Sequence, residues 1–238
     1  MYRWTTDSIR FRIDAAEQVR YDDAIVAQIV PQLSTDAHIC DAGCGLGYTS
    51  LALARHCARV TAIDTSKEAL SILRTNCFKD NITNIDVIEG DLFSMHPAQV
   101  YDAMLFCFFG RLEETLRVAK EQCSGTIFMV KKNWQTHRFT PGEVPLERFT
   151  FQQTLQELDA LEIPYRAETV LLEMGQPFRS LQDAALFFET YRHEGDDTAL
   201  SQERLKSLLL SKDSSAFPYF LPAKQTLGFI KVVVSDIP

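Results

Sequence analysis

The sequence predicts a doubly wound α/β fold on a seven-stranded, mostly parallel sheet, and three observations predict it. From His38 onward, short β-rich runs alternate with segments of helical period, the signature of parallel strands with helices on both faces. One run, Tyr101 to Phe108, is apolar on both faces, as a central parallel strand should be. The composition is globular: 46% of the 238 residues are hydrophobic and 24% charged, with 10 Gly and 9 Pro, which excludes disorder throughout and collagen-like structure. At about 150 residues per domain, such a chain forms one to two domains with a full core.

The first strand is His38 to Ala42, followed after a glycine-rich loop by a helix over Tyr48 to Cys57 and a strand over Arg59 to Asp64. Ala69, Leu70, Leu73 and Cys77 recur at helical spacing behind Ser66, a candidate N-cap. Ile85 to Glu89 is the next strand. After the strand at Tyr101 to Phe108, Leu112, Leu116 and Ala119 mark a helix, and Thr126 to Lys131 a strand. Phe151, Leu155, Leu158 and Leu161 form another helical stripe, Thr169 to Met174 a strand and Thr226 to Val234 the last one. Two pieces fall outside this alternation. Residues 1–36 form a helical cap, with Ile25, Val26, Ile29, Val30 and Leu33 on one apolar face ending near Pro31. Residues 175–224 form a helical lid inserted before the final strand, with a Ser180-capped helix through Tyr191 and a second around Leu205 to Leu209; an insertion of this size is usually a binding element. The core is then 37–174, completed by the strand in 225–238.

Charge and cysteine usage exclude several functions. With 24 Lys plus Arg against 32 Asp plus Glu, the net charge of −8 repels a phosphate backbone, which disfavours nucleic acid as partner. The longest mainly apolar run, Ala103 to Gly110, is far short of the roughly 20 residues a membrane span needs. The start MYRWTTDSIRFRID has charges where a signal peptide needs an apolar stretch, so the expected location is cytoplasmic. Six cysteines without a CxxC pair suit reduced core residues, so neither a metal site nor disulfides are expected.

The informative stretch is Asp41-Ala42-Gly43-Cys44-Gly45-Leu46-Gly47-Tyr48, between a strand end and a helix start. Glycines let backbone turn tightly and approach a ligand, and the free N–H groups of a helix start attract negative charge. A dinucleotide fingerprint, G-x-G-x-x-G, would need glycine where Tyr48 stands, which weakens a nicotinamide reductase.

Asp41, Gly43, Gly45 and Gly47, as D-x-G-x-G-x-G, resemble motif I of the Rossmann-like class I S-adenosylmethionine-dependent methyltransferases, and the resemblance runs from Ala37 to Val130. It implies S-adenosylmethionine as cofactor and an antiparallel last strand. Asp64, ending VTAID, is at the position of the acid that accepts both ribose hydroxyls; Asp91 in EGDLF matches the contact to the adenine amino group, with Leu92 offering its N–H to the ring. The implied cofactor set is Asp41, Gly43, Cys44, Gly45, Gly47, Asp64, Thr65, Asp91, Leu92 and Cys107, the last through its carbonyl. Acids suit a sulfonium cofactor and repel a diphosphate. The bland alternatives are a glycine turn that serves packing and an Asp that caps a helix.

Methyl transfer is an in-line displacement that needs positioning in a water-poor pocket more than a base, so no catalytic residue is named. The loop Phe106-Cys107-Phe108-Phe109-Gly110 lacks the Asn/Asp-Pro-Pro-aromatic box of adenine-methylating relatives, and Cys107 lacks the preceding proline of a cytosine C5 nucleophile. Substrate-side candidates are Trp4 and Tyr21 in the cap, Phe108, the basic and aromatic run Lys131 to Arg138 (Lys132, Trp134, His137), and Tyr191 in the lid, with His193 as a weaker base candidate. Tyr2 and Phe11 add to the cap's aromatics. The expected substrate is a small molecule, because a cap plus lid enclose a compact pocket. The alternatives are methylation of RNA or protein, and a cofactor-binding sensor without turnover. Oligomeric state is not readable from the sequence.

Overall fold

The computed structural model describes every residue except 1–3, 97–99, 135, 138, 140–143, 146–149, 194, 195, 197, 199 and 215. Helix α1, Thr6–Val19, opens on a capping box in which the Ser8 N–H donates to Thr5 Oγ1 and the Thr5 N–H to Ser8 Oγ. It ends at Arg20, whose φ of 58° turns the chain into α2, Tyr21–Ile29. The apolar face expected to run to Leu33 leaves the α-helix at Ile29 and continues as a 3-10 turn, Val30–Gln32, because Pro31 has no N–H to donate.

The alternating core follows: β1 His38–Ala42, α3 Tyr48–Leu53, β2 Arg59–Asp64, α4 Lys67–Lys79, β3 Ile85–Glu89, β4 Tyr101–Cys107, α5 Leu112–Gln122, β5 Cys123–Lys132, α6 Phe151–Ala160 and β6 Arg166–Glu173. Ser66 caps α4 as expected, accepting from Ala69 N–H. Helix α3 stops at Leu53 and not at Cys57. The carbonyls of Ala54 and Cys57 are taken by the Asn84 side-chain amide at 2.8 and 3.1 Å, which ends the helix beside the β2–β3 edge. Then come β7 Gln176–Phe178, α7 Leu181–Thr190, α8 Gln202–Leu208, β8 Leu210–Ser211, β9 Tyr219–Leu221 and β10 Lys224–Val233.

Seven strands form one sheet in the order β3-β2-β1-β4-β5-β10-β6, with β10 antiparallel to both its neighbours. Ile39, Val60, Leu105, Phe128 and Val130 pack on one face against α2 and α3. Met104, Phe106, Ile127 and Met129 pack on the other against α5 and α6. Strand order reverses between β1 and β4, so the loops after β1, β2 and β4 open onto one crevice, where open α/β sheets bind ligands.

The 175–224 insertion carries, besides its two expected helices, a small antiparallel sheet, β7-β9-β8. Residues 1–36 pack in two directions. Ile25, Val26 and Ile29 of α2 belong to the main core, whereas Phe11 of α1 is fully buried among Phe178, Phe187 and Tyr191 of the insertion. Polar contacts reinforce that union: Gln176 Nε2 donates to the Phe11 carbonyl at 3.1 Å, Arg10 pairs with Asp183 at 2.7 Å, and Arg179 pairs with Asp14. A buried Phe truncated to Ala loses about 3–5 kcal/mol. Phe11→Ala should therefore remove hydrogen-exchange protection from α1 and α7 together while β1 and β4 keep theirs; protection lost from α1 alone would show that the two elements open independently.

Candidate functional site

The loop leaving β1 is a tight turn closed by the Gly47 N–H on the Cys44 carbonyl at 3.0 Å. Gly43 and Gly47 have φ of +66° and +77°, a region side chains rarely adopt. A Cβ on Gly43 would lie 2.4 Å from the Phe109 ring, and one on Gly47 2.4 Å from Leu73. Over Gly45 lies the Trp4 ring, 3.0 Å from where a Cβ would stand, so the amino-terminal segment roofs the loop.

Asp64 binds this loop to the rest of the crevice. Its Oδ2 accepts from the Gly45 N–H at 2.9 Å and its Oδ1 from the Ser66 N–H at 2.8 Å. Its backbone carbonyl receives the Gly90 N–H at 3.0 Å, and the Cys44 N–H reaches the Ile63 carbonyl next door. A carboxylate has about four acceptor sites, so both oxygens keep a lone pair free of these backbone donors. Thr65 beside it is exposed. Exposed Asp91 caps the 3-10 turn Leu92–Ser94, accepting from Phe93 N–H at 3.1 Å and Ser94 Oγ at 2.9 Å, while Leu92 is buried. Asp91 thus does the helix-capping work of the bland alternative, whereas Asp64 holds the N–H of the residue that caps α4; both follow strands whose ends face the same crevice.

Asp41 points inward. It is 1% exposed, its Oδ2 accepts from Ser50 Oγ at 2.6 Å, and burial, aided by Asp22 and Asp64 and opposed by Ser50, pushes its pKa up to about 7. Cys107 ends β4; burial first, then Asp41 and Asp22, hold its thiol well above the ordinary range, which disfavours it as a nucleophile. Cys44 is raised in the same way.

Three residues of this neighbourhood were not anticipated. Arg12 of α1 pairs with buried Asp22 of α2 at 2.5 Å, and Thr49 Oγ1, in the first turn of α3, donates to the same Asp22 oxygen at 3.2 Å. The guanidinium lies 4.7 Å from the Tyr21 ring centre and 5.2 Å from that of Tyr48. Arg12 Nη1 and Asp22 Oδ2 are buried without a hydrogen-bond partner, a spare donor and a spare acceptor on one ion pair, which is a costly arrangement unless a ligand completes it. A charged pair in an apolar cap segment, FRID followed by YDD, is the signal that could have found them.

The substrate-side candidates divide. Phe108, with φ of 56°, and Trp134 lie 6.4 Å apart between the β4 and β5 loops, and Tyr21 is buried beneath Arg12. Lys132 ends β5. The His137 and His193 rings lie 4.2 Å apart, tilted by 41°, joining the loop after β5 to the insertion; burial, then His193 and Lys132, lower the His137 pKa. Tyr191 belongs to the aromatic core with Phe11, Phe139 and Phe187, away from the glycine loop's roof. Tyr2, Gln135 and Arg138 lie outside the described residues.

A model of the methyltransferase domain matches residues 39–127, the segment that carries all three crevice loops. That segment, which holds the D-x-G-x-G-x-G turn, is similar to methyltransferase domains. The chain is 26% identical over 116 residues, 49% of its length, to a probable cobalt-precorrin-6B C(15)-methyltransferase (decarboxylating) of Methanococcus maripaludis. The match spans 64% of that relative. In fold it is similar to the YcgJ protein of Bacillus subtilis (TM-score 0.58, 12% identity, 90% of this chain and 98% of the other). It is likewise similar to a coclaurine N-methyltransferase bound to N-methylheliamine and S-adenosylhomocysteine (TM-score 0.52, 16% identity, 88% and 71%). The residues of the crevice fit the family's cofactor: the glycine turn admits no side chain, Asp64 keeps acceptor capacity, and the orphaned Arg12 and Asp22 atoms offer one donor and one acceptor.

Asp41 generates a pH prediction. Because its folded pKa exceeds the unfolded value of about 3.9, the folded protein holds a proton that the unfolded chain has lost, and this group's stabilisation falls as pH rises through the window from about 4 to about 7. Asp41→Asn removes that slope. Urea midpoints at low and high ends of the window should show the Asn variant gaining on wild type by roughly 1–4 kcal/mol; parallel curves would contradict the inward, proton-holding role.

Proposed function

We propose that this chain transfers the methyl group of S-adenosylmethionine to a small-molecule acceptor enclosed between the loops after β4 and β5 and the cap and insertion. The observation that carries the reading is the hydrogen bond from Gly45 to Asp64, which joins the glycine turn and an acid with spare acceptor capacity into one cradle. Asp64 receives the ribose hydroxyls; Asp91 and the Leu92 N–H contact the adenine; Gly43, Cys44, Gly45 and Gly47 line the turn, with Thr65 beside Asp64 and the Cys107 carbonyl opposite. Arg12 Nη1 and Asp22 Oδ2 meet the carboxylate and the ammonium of the amino-acid end, which satisfies both orphaned atoms.

The bound cofactor supplies an activated methyl on a cationic sulfur. The protein's task is then to hold the acceptor in line and exclude water. Trp4, which roofs Gly45, and the aromatic pair Phe108 and Trp134 serve enclosure, and Tyr21 lies under Arg12. Lys132 and His137 are at the rim of the same edge. A small acceptor is supported by the net charge of −8 and by the small-molecule names carried by the precorrin and coclaurine relatives. Among the described residues no helix is long and apolar enough to cross a membrane. Retention on immobilised RNA with a steep salt dependence would overturn the small acceptor in favour of RNA. Labelled cofactor left unconverted by every acceptor in a metabolite extract would favour a sensor.

Asp64→Ala should weaken S-adenosylhomocysteine binding by about 2–4 kcal/mol in calorimetry, through the lost ribose contacts and a freed Gly45 N–H. Asp64→Asn, which can still accept from Gly45, should fall between Ala and wild type. Affinity of the Ala variant within about threefold of wild type would remove Asp64 from the site.

A further inference from the structure

Along β5 the residues facing α5 and α6 run Ile127, Met129, Lys131, so a lysine occupies a position where the pattern calls for an apolar side chain. Lys131 is 3% exposed. A buried ammonium is costly unless hydrogen-bonded, and Lys131 Nζ donates to two backbone carbonyls, Gly110 at 3.0 Å and Phe109 at 3.4 Å. The titratable groups facing it are Glu157 of α6 and the Cys107 thiol of β4.

The segment it grips is under strain. Phe108 has φ of 56° and Gly110 of 74°, so the chain leaves β4 through two left-handed residues, one of them with a bulky side chain. Between them Phe109 stacks on Phe93 (5.3 Å, 10° between planes) and covers Gly43, the first glycine of the cofactor turn. The connection runs from ammonium to carbonyls, from loop to Phe109, and from that ring to both the glycine turn and the Asp91–Phe93 turn.

We propose that Lys131 is a positioning residue whose cation holds the 108–110 loop in the shape that seats Phe109 against Gly43, so that the adenosyl ligand binds best to the protein with Lys131 protonated. This rests on the methyltransferase reading and adds to it a residue outside the family's motif. Burial lowers the Lys131 pKa to about 8, against the opposing pull of Glu157 and Cys107. Two quantities therefore move in opposite senses as pH rises. The unfolded chain keeps this proton to about 10.4, so between about 8 and 10.4 this group's contribution to fold stability increases with pH. The charge that holds the loop is lost over the same range, so ligand affinity declines. A lysine that merely filled space would move neither the affinity nor the proton balance of binding.

The test is calorimetric titration with S-adenosylhomocysteine of wild type, Lys131→Arg and Lys131→Met from about pH 7 to about pH 9. Wild type should lose about tenfold in affinity over that span relative to Lys131→Arg, which stays charged throughout. Lys131→Met should bind weakly at every pH while its melting temperature stays at or above that of wild type. The ligand's α-amino group titrates near the same pH, and its effect is common to all three proteins. Identical pH profiles for wild type and Lys131→Arg, or a Met variant that binds as wild type does at neutral pH, overturn the proposal. Should either variant fail to fold, wild type alone decides with 5′-methylthioadenosine, a ligand lacking the amino group. Titration in buffers of different ionisation enthalpy should show proton uptake just above pH 8, and none would refute the role of Lys131. If wild type binds neither nucleoside, the cofactor reading falls and this inference with it, an outcome distinct from binding that ignores pH.

Discussion

The site depends on one carboxylate with more than one task. Asp64 ends β2, and within its own residue it fixes three turns: Oδ2 holds Gly45 of the glycine loop, Oδ1 holds the Ser66 N–H that opens α4, and its carbonyl holds Gly90 before the Asp91 turn. Each turn comes from a different β–α connection, and parallel strands alone would leave their relative positions to side-chain packing. Charge-assisted bonds to backbone N–H groups are shorter and stronger than neutral ones, so an acid is the residue type that fixes such a junction. The same anion that would receive a ribose thus also shapes the turn beside it, and the cradle's geometry and its affinity are not separable properties.

The amino-terminal segment lies over the glycine loop through Trp4, and the insertion packs against the helix that follows it. Phe11 ties α1 to α7 through an aromatic cluster, and the Arg10–Asp183 and Arg179–Asp14 pairs add orientation to that packing. Arg12, one residue on along α1 from Phe11, pairs with Asp22 of α2, which also accepts from Thr49 in the first turn of α3. One helix therefore contacts the insertion through Phe11 and α2 through Arg12, and Trp4, just ahead of it, lies over Gly45.

The strands, their order-setting alternation and the glycine turn were legible in the sequence because each is dictated locally: β-rich runs of fixed length, and glycines where φ must be positive. Asp64 and Asp91 are named through the resemblance, from their places in VTAID and EGDLF after the second and third strands. What could not be read depends on contacts between distant residues. Phe11 with Phe187 is a pairing across more than half the chain, and nothing in α1 announces that it leaves α2 for the insertion. Lys131 was hidden because it begins a run of polar and basic residues, and only the β5 register shows it on the inner face. Asp41 was grouped with the ligand-facing acids, whereas its Oδ2 is turned to Ser50, a partner one strand-to-helix connection away. The lid's short strands have too few residues for any periodic signal.

The charges of the crevice explain why a cationic ligand suits it and an anionic one does not. Asp22 and Asp64 add to the cost of ionising Asp41, and the guanidinium of Arg12 is already engaged with Asp22. Burial is the larger cause, and together they push the Asp41 pKa up to about 7. A positive charge brought into this group would relieve the repulsion and draw Asp41 toward its charged form; a phosphate would meet two carboxylates and a proton-holding third. No side chain here needs to act as a base for that selectivity, since Cys107 is held as a neutral thiol and Lys131 is spent on backbone carbonyls. The chemistry the crevice favours is therefore that of a ligand which arrives already activated and positively charged, and to which the protein contributes shape, exclusion of water and an opposing field.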